Sequence, residues 1–405
     1  MTTETDSRPR AAKGPIRNAM DHPLFTYRLV IATVGVLVFI GLLMVISSSQ
    51  VIGAVQMDDP YYFGKRQIFF AGLGLIGGLG LSMLPENAVR GLARPALLLG
   101  IVLLVLTLTP LGVQIAGNRN WLAFGADWTQ FQPSEFAKVA LIVWGADDLS
   151  RRRKQLTDLR QWLPYVGITF TLVGLVVFQK DQGTAMIMAA IVMLIMVAAG
   201  APWRLLAVIA AGVAGLGALM VALQPNRMGR IWAFLNPDLD PLGLNMQARR
   251  GIYALASGGW FGQGLGASRQ KWGLLSEAHT DYIFAIIGEE LGAVGALTVI
   301  ALFAVLAFAG IRIARRSTSV FSRLIAIGVV TWFSVQAFAN IAVAVRLFPV
   351  MGVTLPMVSY GGSSLMANLF AAGLLAGCAR REPQAVKHLA SRKRKPRART
   401  IVRTH

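Results

Sequence analysis

Residues 281–312 read DYIFAIIGEELGAVGALTVIALFAVLAFAGIR, and no charge falls between Glu290 and Arg312. A helix needs about 20 apolar residues to cross a hydrocarbon core about 30 Å thick, and this run is long enough. Nine further runs pass the same ruler, at 28–48, 67–84, 95–113, 134–149, 163–179, 183–200, 203–223, 320–345 and 362–379. The chain is 55% hydrophobic and 14% charged, with mean hydropathy +0.57. A soluble domain carries roughly 25% charged residues. The expected fold is all-α: a polytopic membrane protein of about ten transmembrane helices, with a long extracytoplasmic loop, 224–280, between helices seven and eight.

Composition also excludes. The one cysteine, Cys378, rules out an internal disulfide and a cysteine-rich metal centre. The histidines His22, His279, His388 and His405 lack i,i+4 ligand spacing. The net charge of +20 suggests nucleic acid at first sight, but basic loops orient membrane proteins and meet anionic lipid headgroups, so no nucleic-acid partner is expected. Arg151, Arg152, Arg153, Lys154 and Arg160 lie in one connection, and Arg312, Arg315, Arg316 and Arg323 in another. Both fall on the side of the two chain ends in a ten-span count, which places that side in the cytoplasm. The expected organisation is a basic N-terminal segment at 1–27 with no cleavable signal peptide, a membrane domain at 28–379, and a basic tail without structure at 380–405.

Polar residues crowd toward the other side. In QPSEFAK (132–138), Ser134 has the place of a helix cap, and Glu135 and Lys138 are spaced to pair on one helix face. Lys138 lies inside a span, where a lysine costs on the order of 3 kcal/mol, so it faces protein or a water-filled cavity. Arg119 precedes it in a loop. Lys180 and Asp181 occupy a tight turn. The long loop supplies Arg227, Arg230, Arg249 and Arg250, either as solvated surface or as phosphate clamps. Gln247 and His279 lie near them in sequence. Thr280 and Asp281 either cap the eighth span or serve chemistry. Glu289 lies about 12 Å further along that helix, and Glu289 and Glu290 diverge by about 100° around its axis. Acids at that depth call for a function or a cationic partner. Around LPMVSYGGSS (355–364), Pro349 and Pro356, then Gly361 and Gly362, break the apolar pattern before Ser363 and Ser364, which have the place of a cap on the last span.

QPSEFAK, HTDYIFAIIGEELG (279–292) and LPMVSYGGSS, in that order, together with NPDLDPLG (236–243) and GQGLG (262–266), resemble the SEDS family (shape, elongation, division and sporulation) from about Leu29 to Cys378. The resemblance is closer to the division branch than to the elongation branch. Three departures stand out: KDQGT (180–184) where the family reads nearer PDLGT, RNW (119–121) for RRW, and Arg346 where a small residue is usual. The resemblance implies a peptidoglycan glycosyltransferase that polymerises lipid II, an undecaprenyl diphosphate-linked disaccharide-pentapeptide, at the outer face of the membrane. It implies Asp281 as the catalytic aspartate. A β-1,4 bond made from an α-linked diphosphate sugar inverts the anomeric centre, so one displacement needs a base and positive charge on the leaving diphosphate. Asp281 is then the base. Lys138, Arg119, Arg249 and Arg250, with Gln247, His279, Ser363 and Ser364, are the substrate-binding candidates. Glu135, Asp181, Glu289 and Glu290 support the bundle, the last two by pairing with cations from neighbouring spans. A divalent cation, Mg or Mn, is compatible with the diphosphate chemistry, but the sequence identifies no ligand set. The implied partners are a class B penicillin-binding protein transpeptidase, other divisome membrane proteins and membrane lipids. The competing readings are a lipid II flippase, a recruiting scaffold and an elongation-type polymerase.

Overall fold

In the computed structural model the described residues are 22–115, 118–123, 130–153, 155–156, 158–222, 225–236 and 245–394. The chain runs through α1 (Phe25–Met57), α2 (Tyr62–Met83), α3 (Glu86–Leu106), a hairpin of β1 (Gly112–Ile115) and β2 (Asn118–Leu122), and α4 (Pro133–Arg151). It continues through α5 (Leu163–Phe178), α6 (Gln182–Ala199), α7 (Trp203–Ala222), α8 (Pro225–Leu235) and α9 (Met246–Gly258). The last helices are α10 (Ile283–Arg316), α11 (Val320–Ala344), α12 (Gly362–Arg380) and α13 (Pro383–Arg394).

Among the described residues, nine helices are long and apolar enough to cross a membrane. The protein is therefore a polytopic all-α membrane protein. The fourth expected span is α4, a tenth long helix. Glu135, Lys138, Asp147, Asp148 and Arg151 make it too charged to qualify by composition. It is viable because nearly every residue from Pro133 to Leu149 is buried against protein, where intramembrane charges find partners.

The core is α4, α6, α11 and α12. Trp332, Phe333 and Phe321 of α11 are fully buried, and so are Leu141 and Ile142 of α4. Close packing of α2 on α12 depends on glycine, because a Cβ on Gly373 would fall 2.1 Å from the Gly78 carbonyl oxygen. By contrast α7 buries none of its residues. It sits at the margin, where apolar side chains face lipid at no cost. The basic end is tied by Arg90, which pairs with Glu86 at 2.8 Å and Asp147 at 2.9 Å and stacks 4.2 Å over Phe321.

Three points refine or change the expectations. The long connection between α7 and α10 carries two helices, α8 and α9. The second of these is the amphipathic NMQARRGIY segment, which packs its Ala248, Gly251, Ala254 and Gly258 inward. The tail expected to lack structure continues as α13 through Arg394. The third concerns depth. α10 is two helices joined at Gly292, where φ is 70° and ψ is −169°. Arg312 donates to Thr26 at 3.2 Å, so α1 and α10 are level at the basic end. Ser47, 21 residues along α1 and thus roughly 31 Å away, bonds Glu290 at 2.6 and 2.8 Å. That rise equals a full hydrocarbon thickness of about 30 Å. Glu289 and Glu290 therefore lie at the edge of the apolar slab, not deep within a span.

Candidate active site

The break in α10 builds the floor of the site. Residues 259–264 insert into it. The Glu289 and Glu290 carbonyls accept from the Gln263 and Gly264 amides at 2.9 and 3.1 Å, and Ala293 and Val294 donate to the Gly259 and Trp260 carbonyls. The freed helical backbone is thereby satisfied inside protein, as it must be at this depth. Only glycine suits position 292, because its φ is left-handed and a Cβ would fall 2.3 Å from the Gly262 nitrogen.

The two glutamates are used locally. Glu289 accepts from the Ser268 hydroxyl at 2.6 Å and the Arg269 amide at 3.0 Å. Glu290 accepts from Ser47 and pairs with Lys271 at 3.5 Å. Its cation thus comes from the loop before the same helix, not from a neighbouring span, and no cation meets Glu289 among the described ion pairs. Although 100° apart on the helix, both side chains reach Ser268, because the inserted loop wraps both faces.

Above this floor sits Asp281, just before α10. Neither it nor Thr280 caps the helix. The cap position is Tyr282, and no side chain closes it. The last loop, between α11 and α12, is bonded to this segment at several points. Asn340 donates from one amide group to the carbonyls of Asp281 at 2.8 Å and Val353 at 2.7 Å. The Ser359 hydroxyl donates to the Thr280 carbonyl at 2.7 Å, and the Tyr360 amide to the His279 carbonyl at 2.9 Å. Gln67 of α2 holds the same loop through the Ser359 carbonyl and the Gly361 amide. The Asp281 carboxyl faces Gly352, where a Cβ would stand 3.7 Å from Oδ2.

Electrostatics set Asp281 apart. Burial, reinforced by the nearby Glu277 and Asp181 charges and opposed by Arg230, pushes its carboxyl up to about 7. A carboxyl poised near neutrality can accept a proton and release it. Beside it, Arg230 of α8 reaches the Val350 carbonyl at 3.5 Å. Arg346 has a buried Nη2 with no hydrogen-bond partner, and its backbone adopts φ 57°. A left-handed conformation costs an L-residue about 1–2 kcal/mol, and such strain concentrates at functional positions. Both guanidiniums lie close enough to Tyr282 to act on its charge.

The other candidates divide. His279 is buried between the rings of Phe63 and Tyr360 at 5.1 and 5.4 Å, and burial lowers its pKa and favours the neutral ring. Asp181 caps α6 through the Thr184 amide and also accepts from Asn120 at 2.8 Å and Gln132 at 3.1 Å. Gln247 donates to Ser276, and Arg249 to the Tyr253 hydroxyl at 3.2 Å. Arg250, half-buried on the same helix α9, makes no hydrogen bond among the described residues. Arg119 is exposed on β2 and holds the end of α3 through the Thr109 carbonyl at 2.8 Å. Arg227 (its side chain), Lys154 and most of NPDLDPLG lie outside the described residues.

Lys138 does not face a ligand cleft. It is fully buried, 2.9 Å from Glu135 and 3.0 Å from Gln336, and 4.5 Å over the Trp332 ring. Ser364 donates to the other oxygen of Glu135 at 3.1 Å, and Ser363 accepts from the Gln132 amide at 3.3 Å. The pair thus locks α4, α11 and α12 together beneath the site. Ser134, Ser363 and Ser364 cap nothing. The cap positions are Gln132 and Gly361, without side-chain bonds. Sequence reading passed over Asn340, Gln336 and Gln67. Their signal was an amide inside an apolar run, which demands a buried partner.

A family model for cell cycle proteins, covering FtsW, RodA and SpoVE, matches residues 27–384. The probable peptidoglycan glycosyltransferase FtsW of Trichlorobacter lovleyi is 39% identical over 339 residues, 83% of this chain and 88% of that one. Stage V sporulation protein E of Bacillus subtilis is 39% identical over 356 residues, 87% of this chain and 96% of that one. Among solved structures, a chain of a peptidoglycan synthase complex described as coordinating polymerization and crosslinking superposes with TM-score 0.70. It is 29% identical and covers 88% of this chain and 98% of that one. The chain belongs to the FtsW, RodA and SpoVE family of cell cycle proteins, the SEDS family, and is FtsW-like within it.

Proposed function

We propose that this protein is a peptidoglycan glycosyltransferase that polymerises lipid II at the outer face of the cytoplasmic membrane, with Asp281 as general base. The observation that carries the reading is the Asp281 corner. One carboxyl is raised to about 7 by burial, clamped through its backbone by Asn340, with Arg230 acting on it and Arg346 acting on the adjacent Tyr282. The FtsW relative, named as a probable peptidoglycan glycosyltransferase, supports the same reaction class.

The chemistry follows from the groups present. The C4 hydroxyl of one sugar attacks the anomeric carbon of another, whose bond to undecaprenyl diphosphate breaks with inversion. Asp281 takes the hydroxyl proton. Arg230 and Arg346 stabilise charge on the departing diphosphate, for which the planar guanidinium is suited. Arg250 of α9 is a further candidate contact for the diphosphate. Among the described residues, no three His, Cys, Asp or Glu side chains group to hold a metal. A Mg or Mn ion bound with the diphosphate would neutralise leaving-group charge.

The basic connections between α4 and α5 and between α10 and α11 support a cytoplasmic location for that end of the bundle and for the termini. FtsW-like membership supports work at the division septum with other divisome membrane proteins. The solved synthase complex supports a crosslinking partner, which we assign as a class B penicillin-binding protein transpeptidase. Labelled lipid II given to the purified protein with that partner should yield glycan strands. Translocation of lipid II in liposomes without polymer would instead make the protein a flippase.

A further inference from the structure

The end of the bundle opposite Asp281 holds a second feature. The turn between α10 and α11 carries a cavity of about 490 Å³, lined by Ile311, Ala314, Arg315, Ser317, Arg323 and Ile327. Neighbouring cations at this end are used within the fold. Arg312 meets Thr26, Arg316 pairs with Glu382 at 3.9 Å, and Arg90 bridges Glu86 and Asp147. Arg315 and Arg323 have no carboxylate partner among the described residues, and the buried Nε of Arg323 has no hydrogen-bond partner. A buried donor left unpaired costs about 1–3 kcal/mol, and more when charged. Such groups are rare unless something external satisfies them. Arg323 lies in the first turn of α11, whose N-terminus is capped by Ser319 and bonded by the Glu86 carboxylate, so the positive charge at this spot is that of the guanidiniums.

The remaining walls indicate the ligand. Ile311 is 49% exposed on the face of α10 and Ile327 is half-buried on α11, so the cavity has an apolar side toward the membrane. Its volume falls in the range of small-molecule sites, roughly 300–1,000 Å³, and exceeds the need of a bare anion. We infer that this cavity binds the phosphodiester headgroup of an anionic phospholipid, with Arg315 and Arg323 on the phosphate oxygens and the first acyl methylenes against Ile311 and Ile327. The site is remote from the Asp281 corner and takes no part in the displacement.

The test is native mass spectrometry of the full-length protein titrated with phosphatidylglycerol or phosphatidylcholine. Phosphatidylglycerol adducts should exceed phosphatidylcholine adducts by about tenfold, equivalent to about 1.4 kcal/mol. The double variant Arg315→Gln/Arg323→Gln should bring them level, with an unchanged melting temperature in lipid-free detergent. If the double variant is unstable, Arg315→Gln alone carries the test, because Arg315 is exposed, and it should at least halve the adducts. Undiminished phosphatidylglycerol binding by the variant overturns the assignment. Displacement of the lipid by an equal concentration of inorganic phosphate would make this an anion site and overturn it equally.

Discussion

Replacing Asp281 by asparagine removes a carboxyl that titrates near 3.8 when solvated and is lifted to about 7 in the fold. That gap is about 3 pH units, and each unit corresponds to about 1.4 kcal/mol. The sign follows from linkage. The native carboxyl is held protonated, so its contribution to stability is complete below about pH 3.8 and is lost as pH rises through about 7. At pH 5 the unfolded carboxyl is ionised and the folded one is not, a cost of about 1.6 kcal/mol; by pH 8 the cost approaches about 4 kcal/mol. Solvent screening at a half-buried side chain makes these upper values. Asparagine does not titrate. Asp281→Asn should therefore be more stable than wild type at pH 8, and the advantage should shrink by up to about 2–3 kcal/mol at pH 5. Melting temperatures of both proteins in detergent at the two pH values measure it, and the gap should change by a few degrees. In the wild type, polymerisation should rise with pH through about 7 as the base ionises. A stability gap that is the same at pH 5 and pH 8 refutes the perturbed carboxyl.

Three further outcomes are expected. Lys138→Met strands Glu135 in a buried site and should cost about 3–5 kcal/mol, whereas Glu135→Gln/Lys138→Met should recover much of that loss. Denaturation of the single and double variants decides whether the pair is structural. Gly292→Ala forces a Cβ against the Gly262 backbone and should abolish the folded, monodisperse peak in size-exclusion chromatography. Arg346→Gly relieves about 1–2 kcal/mol of left-handed strain while removing a leaving-group contact. It should melt no lower than wild type yet polymerise at least about tenfold more slowly. An unchanged rate removes Arg346 from the site.

The apolar runs made the spans legible, because a hydrocarbon core about 30 Å thick imposes its length on every helix that crosses it. Even α4 was among these runs, although its charges keep it out of the nine helices that qualify by composition. The helix break at Gly292 was not legible. GEELGAVG reads as one uninterrupted segment, and only the inserted Gly259–Gly264 loop shows where the helix divides. The depth of Glu289 and Glu290 was not legible either, because it shows only in the contacts of α10 with α1, Arg312 to Thr26 at one end and Glu290 to Ser47 at the other. Asp281 emerged from its motif, but its surroundings did not. Arg230 reaches it from a helix 51 residues earlier, and Asn340 and Gly352 from 59 and 71 residues later. Lys138 looked like a phosphate ligand because a lysine in a span needs an anion. Glu135, three residues away, already supplies it.

The central claim is that Asp281 takes the proton in glycan polymerisation. The direct measurement is strand formation from labelled lipid II by wild type and Asp281→Asn, each purified with its transpeptidase partner and matched for folded protein. The account predicts strands from the wild type and none from the variant, in spite of the variant's equal or higher melting temperature. Strands of normal length and rate from Asp281→Asn would contradict it.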